Sequence, residues 1–155
     1  MKRTSIIALF MICCSVFCYG QQSFFDKYAD LDGVTSVYIT KSMLSLFPKG
    51  KTNVNGINIG DIASRLDNIQ ILSADEQPII DKLRKETSVI NTRNGYEELM
   101  RVREDGEKTT IYFKDGKKDK KEFVLLLDEK DEFTIISIVG DLTLQEIQGI
   151  INAEN

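Results

Sequence analysis

After Gly95 the chain changes period, and this change limits its possible folds more than any other feature. Tyr96 to Glu104, Lys108 to Lys114, Glu122 to Asp128 and Phe133 to Val139 alternate apolar with polar residues or run apolar. They are separated by Asp105-Gly106, by Asp115-Gly116 with the lysines after it, and by Glu129-Lys130-Asp131-Glu132. Connections this short join antiparallel neighbours, because a parallel crossover needs a dozen residues or more. The spacing therefore predicts an antiparallel meander. Phe123 to Leu127 and Phe133 to Val139 are nearly continuously apolar, which marks them as the central strands.

The part before Gly95 reads mainly as helices. Phe24, Phe25, Tyr28 and Leu31 recur at helical spacing over Ser23 to Leu31, with Gly33 as a stop. Val34 to Thr40 is rich in β-branched and aromatic residues and reads as a strand; Lys41 to Phe47 reads as a short helix ending before Pro48. Pro48 to Gly60 is crowded with turn formers and reads as a mobile loop, although Ile57 and Ile59 alternate as a short edge strand would. A helix over Asp61 to Leu66 and a strand over Ile69 to Leu72 follow. Ser73-Ala-Asp-Glu76 has the spacing of a capping box and predicts a helix over Ala74 to Asn91. Thr143-Leu-Gln-Glu146 repeats that spacing and opens a last helix, with Leu144, Ile147 and Ile151 inward. The expected fold is a single α+β domain over residues 21–155, an antiparallel β-meander sheet with helices packed mainly on one face.

Residues 1–20 are in signal-peptide order. Lys2 and Arg3 precede an apolar core from Ile6 to Val16, and small residues at Cys18 and Gly20 suit a cut before Gln21. The core is shorter than the roughly 20 apolar residues that span a bilayer. Cys13, Cys14 and Cys18 are candidate lipidated cysteines, but Ile12, Cys13 and Phe17 precede them where a lipobox wants a small residue. Cleavage would leave 135 of the 155 residues and take the net charge from −4 to −6, with no cysteine or histidine remaining. The expected location is the periplasm or outer envelope, with no transmembrane segment after cleavage. An acidic exported chain is a poor ligand for nucleic acid, whose phosphates call for Lys and Arg.

The absence of histidine removes Ser-His-Asp and Cys-His catalysis and an ordinary His/Cys zinc site. Asp30-Leu31-Asp32-Gly33 resembles part of a calcium loop, but Tyr28 and Ile39 stand where the first and last ligands belong, so a solvated helix end is the plainer reading. Gly50-Lys51-Thr52 mimics the end of a phosphate-binding loop, but Ser45 replaces the required first glycine. The carboxylates at Asp105, Asp115 and Asp128 to Glu132 fall at hairpin turns, where solvation explains them. Lys114, Lys117, Lys118, Lys120 and Lys121 make a mixed charged loop with Asp115 and Asp119, suited to solubility or to an acidic partner. Arg101 and Arg103 share one strand face. The candidate partner contacts are Arg101, Arg103, Lys117 and Lys118; no catalytic, cofactor or metal residues are expected.

Phe25-Asp-Lys-Tyr-Ala-Asp30, then Asp32-Gly-Val-Thr-Ser-Val-Tyr-Ile-Thr-Lys-Ser-Met43, and the late segment Phe133-Thr-Ile-Ile-Ser-Ile-Val-Gly-Asp-Leu142 before an amphipathic helix, together resemble domain-of-unknown-function family 4252. The resemblance implies a small envelope protein of Bacteroidetes and a link to envelope regulation. It implies no reaction and carries over no site residues. The poor lipobox departs from family members that look like lipoproteins. The expectation is an exported, non-enzymatic binding module whose partner is an envelope protein or cell-surface component. An enzyme of unrecognised type using carboxylates or a metal, and a purely structural envelope role, remain the alternatives.

Overall fold

The computed structural model describes residues 24–48, 53–54, 57–116, 120–143 and 145–146. The signal segment, Gly50-Lys51-Thr52, Lys117, Lys118 and most of the last helix lie outside them. Among the described residues, no helix is long and apolar enough to cross a membrane.

The elements run in the order α1 (Phe24–Tyr28), β1 (Thr35–Thr40), α2 (Lys41–Leu44), β2 (Asn53–Val54), β3 (Ile57–Asn58), α3 (Ile59–Arg65), β4 (Leu66–Ala74) and α4 (Gln77–Glu86). Two 3₁₀ turns, Thr87–Val89 and Thr92–Asn94, then lead into β5 (Glu97–Glu104), β6 (Glu107–Asp115), β7 (Lys121–Asp128) and β8 (Phe133–Gly140). The main sheet has the order β1-β4-β8-β7-β6-β5, antiparallel throughout. This is the expected α+β meander, with β8 and β7 at its centre.

Consecutive strand residues point to opposite faces, and here both faces bury apolar side chains. On the first face Leu72, Val124, Phe133 and Ile135 pack against Phe25 and Tyr28 of α1 and Ile80 and Leu83 of α4. On the second, Phe123 packs with Leu44 of α2, Ile62 of α3, Leu66 and Leu142. The expectation of helices on one face thus describes α1 and α4, while the short α2 and α3 cover one end of the other. Beyond that end, Val37, Ile71, Ile136, Leu125, Ile111 and Met100 stand opposite one another in turn, an apolar row crossing all six strands.

Three expectations are corrected. Ser73 caps no helix: β4 runs on to Ala74, which pairs with Phe133. The Ser73 hydroxyl donates to Glu132 (2.6 Å) instead, and α4 starts at Gln77 with Pro78 in its first turn. That helix stops at Glu86 rather than Asn91, with the Thr87 hydroxyl bonded back to the Arg84 carbonyl (2.8 Å). Within Pro48 to Gly60, Asn53 and Val54 pair with Asn58 and Ile57 as a small hairpin, and α3 begins at Ile59. The second capping box forms as expected: Glu146 accepts from the Thr143 amide (2.8 Å), and its own amide donates to the Thr143 hydroxyl (3.3 Å).

Candidate functional site

Alternation along β6 puts Lys108, Thr110 and Tyr112 on the first face of the sheet. α4 packs on that face over β4 and β8, which leaves β6 uncovered beyond the helix. The result is a cleft of about 180 Å³, walled by Arg84, Thr87 and Ile90 on one side and floored by Lys108, Thr110, Tyr112 and Leu126. A more open depression of about 470 Å³ shares Lys108 and Asp128 with it and extends to the β5–β6 turn past Arg103. That turn is the expected Asp105-Gly106 pair, both residues at positive φ (49° and 92°) as a two-residue hairpin with primed-turn geometry requires.

The register adds the two arginines singled out from the sequence. Arg101 stands opposite Thr110 and Arg103 opposite Lys108, so both lie on the cleft's face at the sheet edge. Both are exposed. Lys117 and Lys118 lie outside the described residues. Of the remaining lysines in that loop, Lys120 binds Asp67 (3.2 Å), and Lys114 stands 4.6 Å from the centre of the Tyr96 ring.

The charges of the cleft are unevenly satisfied. Arg84 is held by both carboxylate oxygens of Asp128 (2.6 Å at the closest) and by Asp81 (2.9 Å). The hydrogen bonds it donates to Asp128 raise the guanidinium pKa above its ordinary value. Arg101 is paired with Glu98. Lys108 and Arg103 have no ion-pair partner among the described residues. Two residues along β6 from Lys108, the Thr110 hydroxyl is buried, at 1% residue exposure, without a hydrogen-bond partner. A buried hydroxyl without a partner costs about 1–3 kcal/mol, so its retention is a cost in the unliganded molecule. Toward the turn the sign changes, with Glu104, Asp105 and Glu107 lining the outer depression.

Deeper in the first face, the Tyr96 hydroxyl donates to Glu122 (3.1 Å), and Ser137 donates to the other oxygen of the same carboxylate (3.1 Å). Burial, with the Glu122 charge, pushes the Tyr96 phenol above the ordinary range, so it remains a donor. Among the described residues, no three acidic, Cys or His side chains come together as a metal site. The Asp30–Asp32 turn has a packing explanation for its glycine: at φ 80° a Cβ on Gly33 would lie 3.0 Å from Ile79 of α4.

Sequence reasoning found the shared face of Arg101 and Arg103 but missed Arg84, Lys108 and Thr110. The alternation Lys108-Thr-Thr-Ile-Tyr112 carried the signal for β6. Nothing local carried it for Arg84, which meets Asp128 only because α4 packs over β4 and β8 on the same sheet face. Asp128, read as a solvated turn carboxylate, is instead the anchor of that arginine.

No curated protein and no solved structure gives a significant match to the chain. Residues 28–150 match the family described as Domain of unknown function (DUF4252), from the end of α1 through the last strand and beyond. That span is most of the chain and includes the whole sheet and every wall of the cleft, so the protein belongs to the DUF4252 family.

Proposed function

We propose that this protein is an exported, non-enzymatic binding module of the periplasm or cell envelope, and that the cleft beside α4 takes a carboxylate-bearing segment of an envelope partner. The observation that carries this reading is the unpartnered Thr110 hydroxyl and the unpaired Lys108, which line one cleft from the same face of β6. A carboxylate accepts from both at once, and a charge-assisted hydrogen bond is about twice as strong as a neutral one. Arg101 and Arg103 stand beside this position at the sheet edge, as partner contacts rather than catalytic groups. Export follows from the order of charges, apolar core and small residues in positions 1–20.

The test of the cleft is a titration of the full chain with N-acetyl-tetraglutamate, followed through backbone amide shifts. Saturable shifts at Lys108, Thr110 and Arg101, absent in Lys108→Glu, support the reading. No saturable change on β6 sinks it. Export is tested separately by intact mass of protein recovered from its native envelope, where a chain beginning at Gln21 without lipid is expected.

A further inference from the structure

The two edges of the sheet differ in kind. β5 carries five charged residues in eight, and its register shifts between Glu98 and Met100. Both devices keep an edge from pairing with other strands. β1 is Thr-Ser-Val-Tyr-Ile-Thr: it has no charge, proline or bulge, and it pairs with β4 without interruption. Its outer side has no strand beside it among the described residues. Among the described residues nine large hydrophobic side chains are exposed; five lie between positions 37 and 47, namely Val37, Tyr38, Met43, Leu46 and Phe47, and three, Leu99, Met100 and Val102, lie on β5 among its charges. Val37 and Tyr38 lie on opposite faces of β1, so apolar surface flanks its free edge on both sides.

We propose that β1 is a dimerisation edge, on which a second copy of this chain pairs its own β1 antiparallel across a two-fold axis. In antiparallel pairing, residues directly opposite share a face, so only registers that set a residue against itself or against one of like parity are allowed. The register centred on Tyr38 sets Tyr38 against Tyr38 of the second copy, Ser36 against Thr40, and Val37 against Ile39. Hydroxyl then meets hydroxyl, β-branched side chain meets β-branched side chain, and no like charges are opposed. The apolar row that ends at Val37 continues into the second sheet. The acidic turn of Asp30 and Asp32 before the strand comes to the end where the other copy presents Lys41, an exposed ammonium that Asp67 of its own chain holds at 2.8 Å on one side. A stable dimer buries at least roughly 1,200 Å² in total, more than six paired residues provide. Met43, Leu46 and Phe47, just beyond the strand, supply further apolar surface.

The proposal is independent of the cleft, which lies at the other end of the sheet. Sedimentation velocity of the full chain over a range of concentrations tests it. The expected result is a monomer–dimer equilibrium whose dissociation constant rises at least about tenfold in Tyr38→Lys, with an unchanged thermal midpoint. Val102→Lys on β5 should leave it unaltered. If Tyr38→Lys lowers the midpoint, Val37→Lys on the other face of the same strand replaces it. A wild-type chain monomeric at every concentration overturns the proposal and leaves the edge to an extended segment of another protein. A dimer indifferent to the β1 variants, or broken by Val102→Lys, overturns it as well.

Discussion

Phe123 and Val124 are consecutive on β7 and both completely buried, yet they belong to different cores, Phe123 beneath α2 and α3 and Val124 beneath α1 and α4. The sheet is common to both cores and should make them one cooperative unit. Phe123→Ala should therefore cost about 3–5 kcal/mol and shift the whole unfolding transition. Tyrosine fluorescence checks this: Tyr28, Tyr96 and Tyr112 all pack in the first core, away from the substitution. A tyrosine transition left in place would mean that the cores unfold separately.

Gly140 ends β8 where α3 turns into β4. A Cβ there would stand 2.8 Å from both the Arg65 carbonyl oxygen and the Leu66 Cα, backbone atoms that cannot rotate away. Gly140→Ala should destabilise the chain by about 1–3 kcal/mol, the range of overpacking in a tight core, with the Leu66–Gly140 pairing lost. Urea unfolding measures the first and amide exchange at Asp141, whose N–H bonds the Arg65 carbonyl (3.1 Å), the second.

Glu146 is paired with Arg65, and this hydrogen-bonded contact, with the Thr143 bonds, lowers its pKa from 4.5 to about 2. A depressed carboxylate contributes stability above its unfolded pKa, and the contribution fades as the pH falls through 4.5 toward 2. Glu146→Gln should be less stable than wild type at pH 7 by on the order of 1 kcal/mol. Thermal midpoints of the two proteins should converge as the pH approaches 2. A constant gap across that interval would show that the carboxylate's charge is irrelevant.

Thr110→Val removes a buried hydroxyl that has no partner and keeps its shape. Stability should be unchanged or rise by about 1 kcal/mol, since no unmet hydrogen bond remains. The amide-shift response to N-acetyl-tetraglutamate should weaken in the same variant. Gain of stability with loss of response is the pattern of a group retained for binding. A clear destabilisation would instead mean that the hydroxyl has a partner in solution.

The meander was legible because its signals are local. Asp105-Gly106 and the alternation around it fix that hairpin, and the apolar runs of β7 and β8 announce strands covered on both sides. β4 was read at less than half its length because Asp67, Asn68 and Gln70 interrupt its apolar run. Asp67 is there to meet Lys41 and Lys120, which no local pattern reveals. The Ser73 capping box failed for a related reason: a ladder to β8, 59 residues away at Glu132 and its neighbours, competes with a cap and wins. The cleft was half legible. Alternation placed Arg101 and Arg103 together, but Arg84 and Asp128 are 44 residues apart and meet only through packing.

β5 is exposed along its full length and joins the sheet only through β6. Segments of this kind open locally at a fraction of the free energy of global unfolding. Arg101 and Arg103 therefore ride on the strand expected to open first, whereas Thr110 and Lys108 sit on one paired on both sides. Opening of β5 should carry the two arginines away while Arg84, Thr87 and Ile90, the walls of the cleft, stay in place.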